Sequence, residues 1–272
     1  PELAGAAVDI AGRLAQAAAG GAAVNQICAT HDIGLKVFEL ALPHPVRDIT
    51  RHAAFEEKDC TATIAFGMEA LAGGSDLICL GELGGGSDIA VAAVLTALLG
   101  GTPHDWLEDM SPGLRETKIT LVEEALTCHA GHLGDPLEVL RRLGGREIAA
   151  AAGAILAARI QRIPIILDSL AIAAAATVVF SLNTSAVDHC LAGHVAGPVH
   201  RRLLRRLGLS PLLDLGITLG EGAGAALAAG VVRAALACHS GMAEADVPPA
   251  APTLNCGSGS RAARALAIAH RA

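Results

Sequence analysis

The sequence predicts an α/β domain built on a mostly parallel sheet with helices on both faces. Three observations carry this. Short runs of nearly continuous apolar character recur along the chain, as strands buried on both faces require. Longer helical patterns separate them, which is the alternation of a parallel sheet. Polar residues collect where the apolar runs end, where ligands bind in such sheets.

Taken in order, the strand candidates are LKVFELAL (35–42), DLICLGE (76–82), IPIILD (163–168), DHCLAGH (188–194) and PLLDLG (211–216). The helical patterns fall at 56–73, 87–100, 116–131, 145–161, 169–181, 198–207 and 223–239. The expected division is an α/β domain over 30–240, with 1–29 and 241–272 forming a small helical portion. The proline-rich VPPAAP (247–252) marks a boundary before the last segment. The arrangement is Rossmann-like, although the chain has no spaced GxGxxG, so a dehydrogenase reading is poor.

Composition narrows the class. Of 272 residues, 52% are hydrophobic and only 2% aromatic, with no tyrosine, so the core must come from Ala, Leu, Ile and Val packed closely over glycine. A mean hydropathy of +0.49 raises a membrane reading. The longest apolar stretches, 170–180 and 222–238, fall short of the roughly 20 residues a bilayer needs, and the second contains Arg233, so both read as buried helices. A net charge of -7 argues against nucleic acid as a partner. Seven scattered cysteines without a CxxC pair fit reduced core thiols in a cytoplasmic protein. No signal peptide is visible, though the chain begins at Pro1.

The polar strand-end residues are Glu82, Asp168, His194 and Asp214, followed by Glu221. Asp168 precedes an Ala-rich helix, so capping and site roles are both open to it. In GELGGGSD (81–88), Gly84, Gly85 and Gly86 lie between a strand and a helix, a loop whose backbone N–H groups can converge on a phosphate. A tight turn would also explain them. Glu221 sits between Gly220 and Gly222 in LGEGAG (219–224). The helix dipole would favour an acid there but leaves the flanking glycines unexplained.

Together, GELGGG (81–86), RETKITLVEEAL (115–126), GGREIAAAAGAILAARIQRIPIILD (144–168), HRRLLRRLGLSPLLDLGITLGEGAGAALA (200–228) and, more weakly, GGAAVNQIC (20–28) resemble the nicotinate-nucleotide:dimethylbenzimidazole phosphoribosyltransferases. The motifs occur in the family's order and span most of 20–240. The resemblance implies transfer of phosphoribose from nicotinate mononucleotide to a benzimidazole-like base, giving an α-ribazole phosphate and nicotinate. It implies no metal and no cofactor, and a homodimer. Glu221 takes the position of the catalytic base. Glu82 falls on the ribose or nicotinate side, Gly84 to Gly86 and Lys118 at the phosphate, and Asp168, Gly220 and Gly222 about the substrate. Carboxylates such as Glu82 or Asp168 could also stabilise an oxocarbenium-like ribose.

The chain departs from the family pattern in places. Asn-Thr-Thr after the glycines becomes Ser87-Asp88-Ile89, which sets a negative charge where a phosphate is expected. Asp88 should therefore either turn away or fill that space. A usual Ser-x-Glu-Pro-Gly-His becomes Ala196-Gly197-Pro198-Val199-His200, without its glutamate. Family members carry a longer N-terminal part that helps recognise the benzimidazole, so that wall is expected to be missing or rebuilt. These departures keep a second reading open: a non-catalytic relative that binds a nucleotide or azole.

Overall fold

The computed structural model describes residues 10–83 and 86–242. The expectations for 1–9, Gly84, Gly85 and 243–272 lie outside the described residues. The chain divides after Ala234 into a large unit and a short one.

Four strands form one sheet in the order β1 (Ile78–Leu80), β2 (Ile165–Leu167), β3 (Cys190–His194) and β4 (Pro211–Leu213). All three pairings are parallel, with Ile78 opposite Ile165, Ile165 opposite Cys190 and Ala192 opposite Pro211. Strands that follow one another across a sheet by right-handed crossovers place their linking helices on one face. Packing agrees: Ile165 and Leu167 bury into the main core with residues of α4 (Asp88–Leu99), α8 (Arg146–Gln161), α9 (Leu170–Leu182) and α10 (Pro198–Arg206). Ile166, pointing the other way, packs with Ala225, Ala228 and Ala229 of α11 (Ala223–Gly241). α11 therefore covers the second face, and its first turn starts at the carboxyl ends of the strands.

α1 (Ile10–Ala18) and α2 (Ala23–Thr30) bury Ala17, Val24 and Cys28 against Ala226 at the start of α11. Among the described residues α11 is the one helix with the length and apolar composition of a membrane span. Its first half, Ala223 to Ala229, is largely buried, as expected of a core helix.

The scarcity of aromatics shows in the packing of α3 (Glu57–Glu69) on α8. A Cβ on Gly67 would lie 1.9 Å from Ala150 O, and one on Gly153 would lie 2.0 Å from Ile64 O. Each helix offers a glycine to the other's backbone, so the axes approach more closely than any side chain permits.

Four of the five strand candidates contain strands. The exception is 35–42, which forms no strand. Leu35, Val37, Phe38 and Leu42 stay 37–47% exposed, and Phe38 packs edge-on against Phe66. Ala41 at φ 54 breaks the extended path, so an apolar run here lacks both a ladder partner and strand geometry. The helical patterns all contain helices, and three further described pieces were not anticipated one by one. These are α5 (Pro103–Trp106), α7 (Pro136–Leu143) and an earlier start, at Pro112, of α6 (Pro112–His129). The start of α7 carried a readable signal, because Asp135 accepts from Leu137 N and Pro136 fills the first helical position. Six cysteines among the described residues are free thiols.

Candidate active site

The carboxyl ends of β1 and β2 meet the start of α11. After β1, the carbonyl of Glu82 accepts from Glu221 N at 3.1 Å. Gly81 lies so close to Gly222 that a Cβ on Gly81 would be 2.3 Å from Gly222 Cα. Glycine at 81 is thus required by close backbone approach rather than by a ligand.

Gly220, Glu221 and Gly222 all take the left-handed backbone, with φ of 67°, 65° and 82°. Glycine enters that region freely, but a glutamate there costs roughly 1–2 kcal/mol and must be held. Asp168, fully buried after β2, holds it: Oδ2 accepts from Gly222 N at 3.0 Å and Oδ1 from Ala225 N at 2.8 Å. His194, at the end of β3, puts Nε2 3.4 Å from Asp168 Oδ1, and its ring lies against Gly224, where a Cβ would come within 2.0 Å. The cap expected of Asp168 on the Ala-rich helix that follows it falls instead to Ser169, whose Oγ accepts from Ile172 N at 3.4 Å, while the oxygens of Asp168 are spent on amides at the start of α11.

The Glu221 side chain is 13% exposed and meets Arg13 of α1. Arg13 Nη2 and Nε donate to Oε1 at 2.9 and 3.2 Å, and Nη2 also reaches Leu219 O at 3.4 Å. The pair is charge-assisted, and two donors on one oxygen fix the direction in which the carboxylate points. Sequence reasoning missed Arg13, because its partner lies 208 residues away and no motif surrounds it.

Sequence reasoning also missed Glu147. It stands in the first turn of α8, and burial pushes its carboxyl up to about 7, opposed by a backbone hydrogen bond and reinforced by the charge of Glu82. A Cβ on Gly145 would come within 2.2 Å of the Glu147 carboxylate, so GGRE supplies the space the acid occupies. Glu82 and Glu147 are therefore neighbours, and Glu147 keeps its proton well above the usual carboxylate range. The readable signal was the acid next to a glycine pair at a helix start.

On the expected phosphate side, Gly86 has φ 79° and ends the loop, whose Gly84 and Gly85 are outside the described residues. Lys118 of α6 is 2% exposed, and its Nζ lies 2.7 Å from Asp88 Oδ2 in the first turn of α4. Asp88 has not turned away; it takes the ammonium that the sequence assigned to an anion.

Asp214 pairs with Arg201 and is not drawn to Glu221. Asp109 reaches the start of α10, its Oδ2 accepting from Val199 N at 3.2 Å. A cavity of about 330 Å³ opens at the ends of β3 and β4 between Val195, Pro198, Arg201, Arg205 and Asp214. A larger one, about 420 Å³, lies where β3 and β4 begin, between Thr184, Asp188, Leu207 and Leu209, at the end of the sheet opposite the carboxylates. Among the described residues no group of His, Cys, Asp and Glu is arranged to hold a metal.

A glycine-held carboxylate paired to arginine, a buried aspartate beneath it and two more acids alongside suit chemistry at a cationic centre. Comparisons with known proteins agree. The sequence model of a phosphoribosyltransferase family matches residues 10–247. The chain is 59% identical to the nicotinate-nucleotide–dimethylbenzimidazole phosphoribosyltransferase of Rhizobium etli (strain CIAT 652) over 233 residues, 83% of this chain and 68% of that protein. It is 58% identical to the protein of the same name from Brucella suis biovar 1 (strain 1330), with the same coverage. The crystal structure of the nicotinate-nucleotide–dimethylbenzimidazole phosphoribosyltransferase from Thermus thermophilus superposes with a TM-score of 0.76 at 29% identity, covering 87% of this chain and 77% of that one. The chain belongs to the nicotinate-nucleotide–dimethylbenzimidazole phosphoribosyltransferase family.

Proposed function

We propose that this chain transfers phosphoribose from nicotinate mononucleotide to a benzimidazole-like base, releasing nicotinate and forming an α-ribazole phosphate. Family membership supports the reaction. The observation that carries the mechanism is Glu221, fixed in a left-handed turn with its carboxylate paired to Arg13.

The azole nitrogen attacks C1′ of the ribose as the bond from C1′ to the pyridinium nitrogen breaks. That electron pair returns to the pyridine ring, so nicotinate leaves with a neutral nitrogen and needs no acid. The positive charge moves to the azole, which loses its N–H proton to Glu221. Arg13 donates to Oε1, and Oε2 takes no hydrogen bond among the described residues, so Oε2 is the proton acceptor. Glu82 lies where negative charge would steady the ribose cation, with Glu147 beside it.

Lys118 and the Gly84 to Gly86 loop bind the phosphate, with Gly220 and Gly222 shaping the substrate side of the turn. Because Asp88 holds Lys118, phosphate binding requires the ammonium to be shared or exchanged. The protein works as a cytoplasmic homodimer, a state supported by exposed apolar residues such as Ile160 and Leu182, and a monomeric mass in solution would count against it. Its α/β domain spans 30–240.

Incubating the protein with nicotinate mononucleotide and dimethylbenzimidazole should release nicotinate. Nucleotide binding without release would favour a non-catalytic binder instead.

A further inference from the structure

Asp168 lies directly under the proposed base yet offers nothing to a substrate. It is fully buried, and both its oxygens accept amides of the turn that carries Glu221. We propose that Asp168, packed against His194, is a positioning residue that fixes the left-handed turn and so aims the Glu221 carboxylate. This rests on Glu221 being the base.

The turn is strained in one residue only. Gly220 and Gly222 adopt their φ without cost, whereas Glu221 at φ 65° would relax if released. Three constraints oppose that. The Glu221 amide is tied to Glu82 O, the next amide is tied to Asp168, and Gly222 is stacked on Gly81. Of these, only Asp168 is a side chain, and it bridges the turn, at Gly222, to α11, at Ala225. It therefore sets the turn's orientation relative to the helix as well as its position. His194 closes the cluster from below, its ring on Gly224 and its Nε2 3.4 Å from Asp168. Misplacing a reacting group by about 1 Å can cost 10²-fold in rate without altering substrate affinity.

The test is a double-mutant cycle of Asp168→Asn with Glu221→Gln, read by nicotinate release and by hydrogen exchange over 219–226. Asparagine keeps the size but turns one acceptor into a donor facing an amide. Alone, it should lower kcat by about 10²-fold, leave KM for nicotinate mononucleotide unchanged and speed exchange at Gly222 and Ala225. On the Glu221→Gln background it should cost nothing further, because the base it aims is already gone. A further loss there, or a rise in KM matching the fall in kcat, would mean that Asp168 acts on substrate and would overturn the proposal. Unchanged exchange would overturn it whatever the activity. Full turnover by Glu221→Gln alone sinks the base assignment and is read before the cycle is closed. If Asp168→Asn does not fold, His194→Gln keeps the carboxylate and removes the ring packed against it and against Gly224. It should then give a smaller kcat loss with the same absence of additivity, and additivity would again overturn the proposal.

Discussion

A glutamate in the left-handed region, with a buried carboxylate below and an arginine above, is held for its side chain rather than its backbone. Glu221→Gln keeps the size and cannot take the azole proton, so turnover should fall by roughly 10² to 10⁴ while nucleotide affinity and melting change little. A glutamate serving only as helix-terminal charge would instead cost about 0.3 to 1 kcal/mol of stability and leave turnover intact. Paired assays of nicotinate release and thermal melting separate the two. Asp88 gives a second residue-scale expectation. Asp88→Asn releases the Lys118 ammonium, which is 2% exposed and otherwise neutralised, so KM for nicotinate mononucleotide should fall severalfold. Lys118→Ala should raise it, and a KM unmoved by either change would remove Lys118 from the phosphate site. At this scale Glu221 was legible, because glycines on both sides of an acid imply an unusual backbone. Arg13 was not, since its contact with Glu221 crosses 208 residues and no motif surrounds it.

Elements were legible where periodicity decided them and illegible where a partner did. The runs that became β1 to β4 share with 35–42 the same apolar character, yet only those four found neighbours. The pairing of α3 with α8 was anticipated in kind by the composition, a core of alanine over glycine, but not in place. Gly67 and Gly153 each face a carbonyl on the other helix at distances no Cβ tolerates. Gly153→Ala should gain up to about 1 kcal/mol from helix propensity and lose more by forcing the backbones apart, for a net destabilisation of roughly 1–3 kcal/mol. Gly67→Ala should behave alike. Combined, the two should cost less than their sum, because one displacement relieves both clashes. Denaturant titration of the single and double variants measures this, and full additivity would show that the glycines do not share one interface.

For the whole molecule, two buried groups set opposing dependences of stability on pH. Burial pushes Glu147 from 4.5 up to about 7, with Glu82 adding to it. Burial also pushes His200 from 6.5 down to about 4, helped by His194 and opposed by Asp168. Between about 4.5 and 7 the folded chain keeps a proton on Glu147 that the unfolded chain has lost, so stability falls as pH rises. Between about 4 and 6.5 the unfolded chain protonates His200 and the folded chain does not, so stability rises with pH. Each slope reaches at most about 1.4 kcal/mol per pH unit, and where the windows overlap they cancel. Glu138, lowered to about 2 by Arg141 and Arg142, acts only below this overlap, as its stabilisation is lost when pH falls beneath its unfolded value of 4.5. The wild type should therefore show a flatter melting-temperature profile between about 4.5 and 6.5 than either variant below, with His189, also lowered by burial, adding a rise with pH near the top of that window. Glu147→Gln removes one slope and should leave a melting temperature that climbs with pH across that window; His200→Asn should leave one that declines. Melting curves at half-unit pH steps on the three proteins decide the matter. Parallel profiles would show that neither group titrates within the folded state as its burial requires.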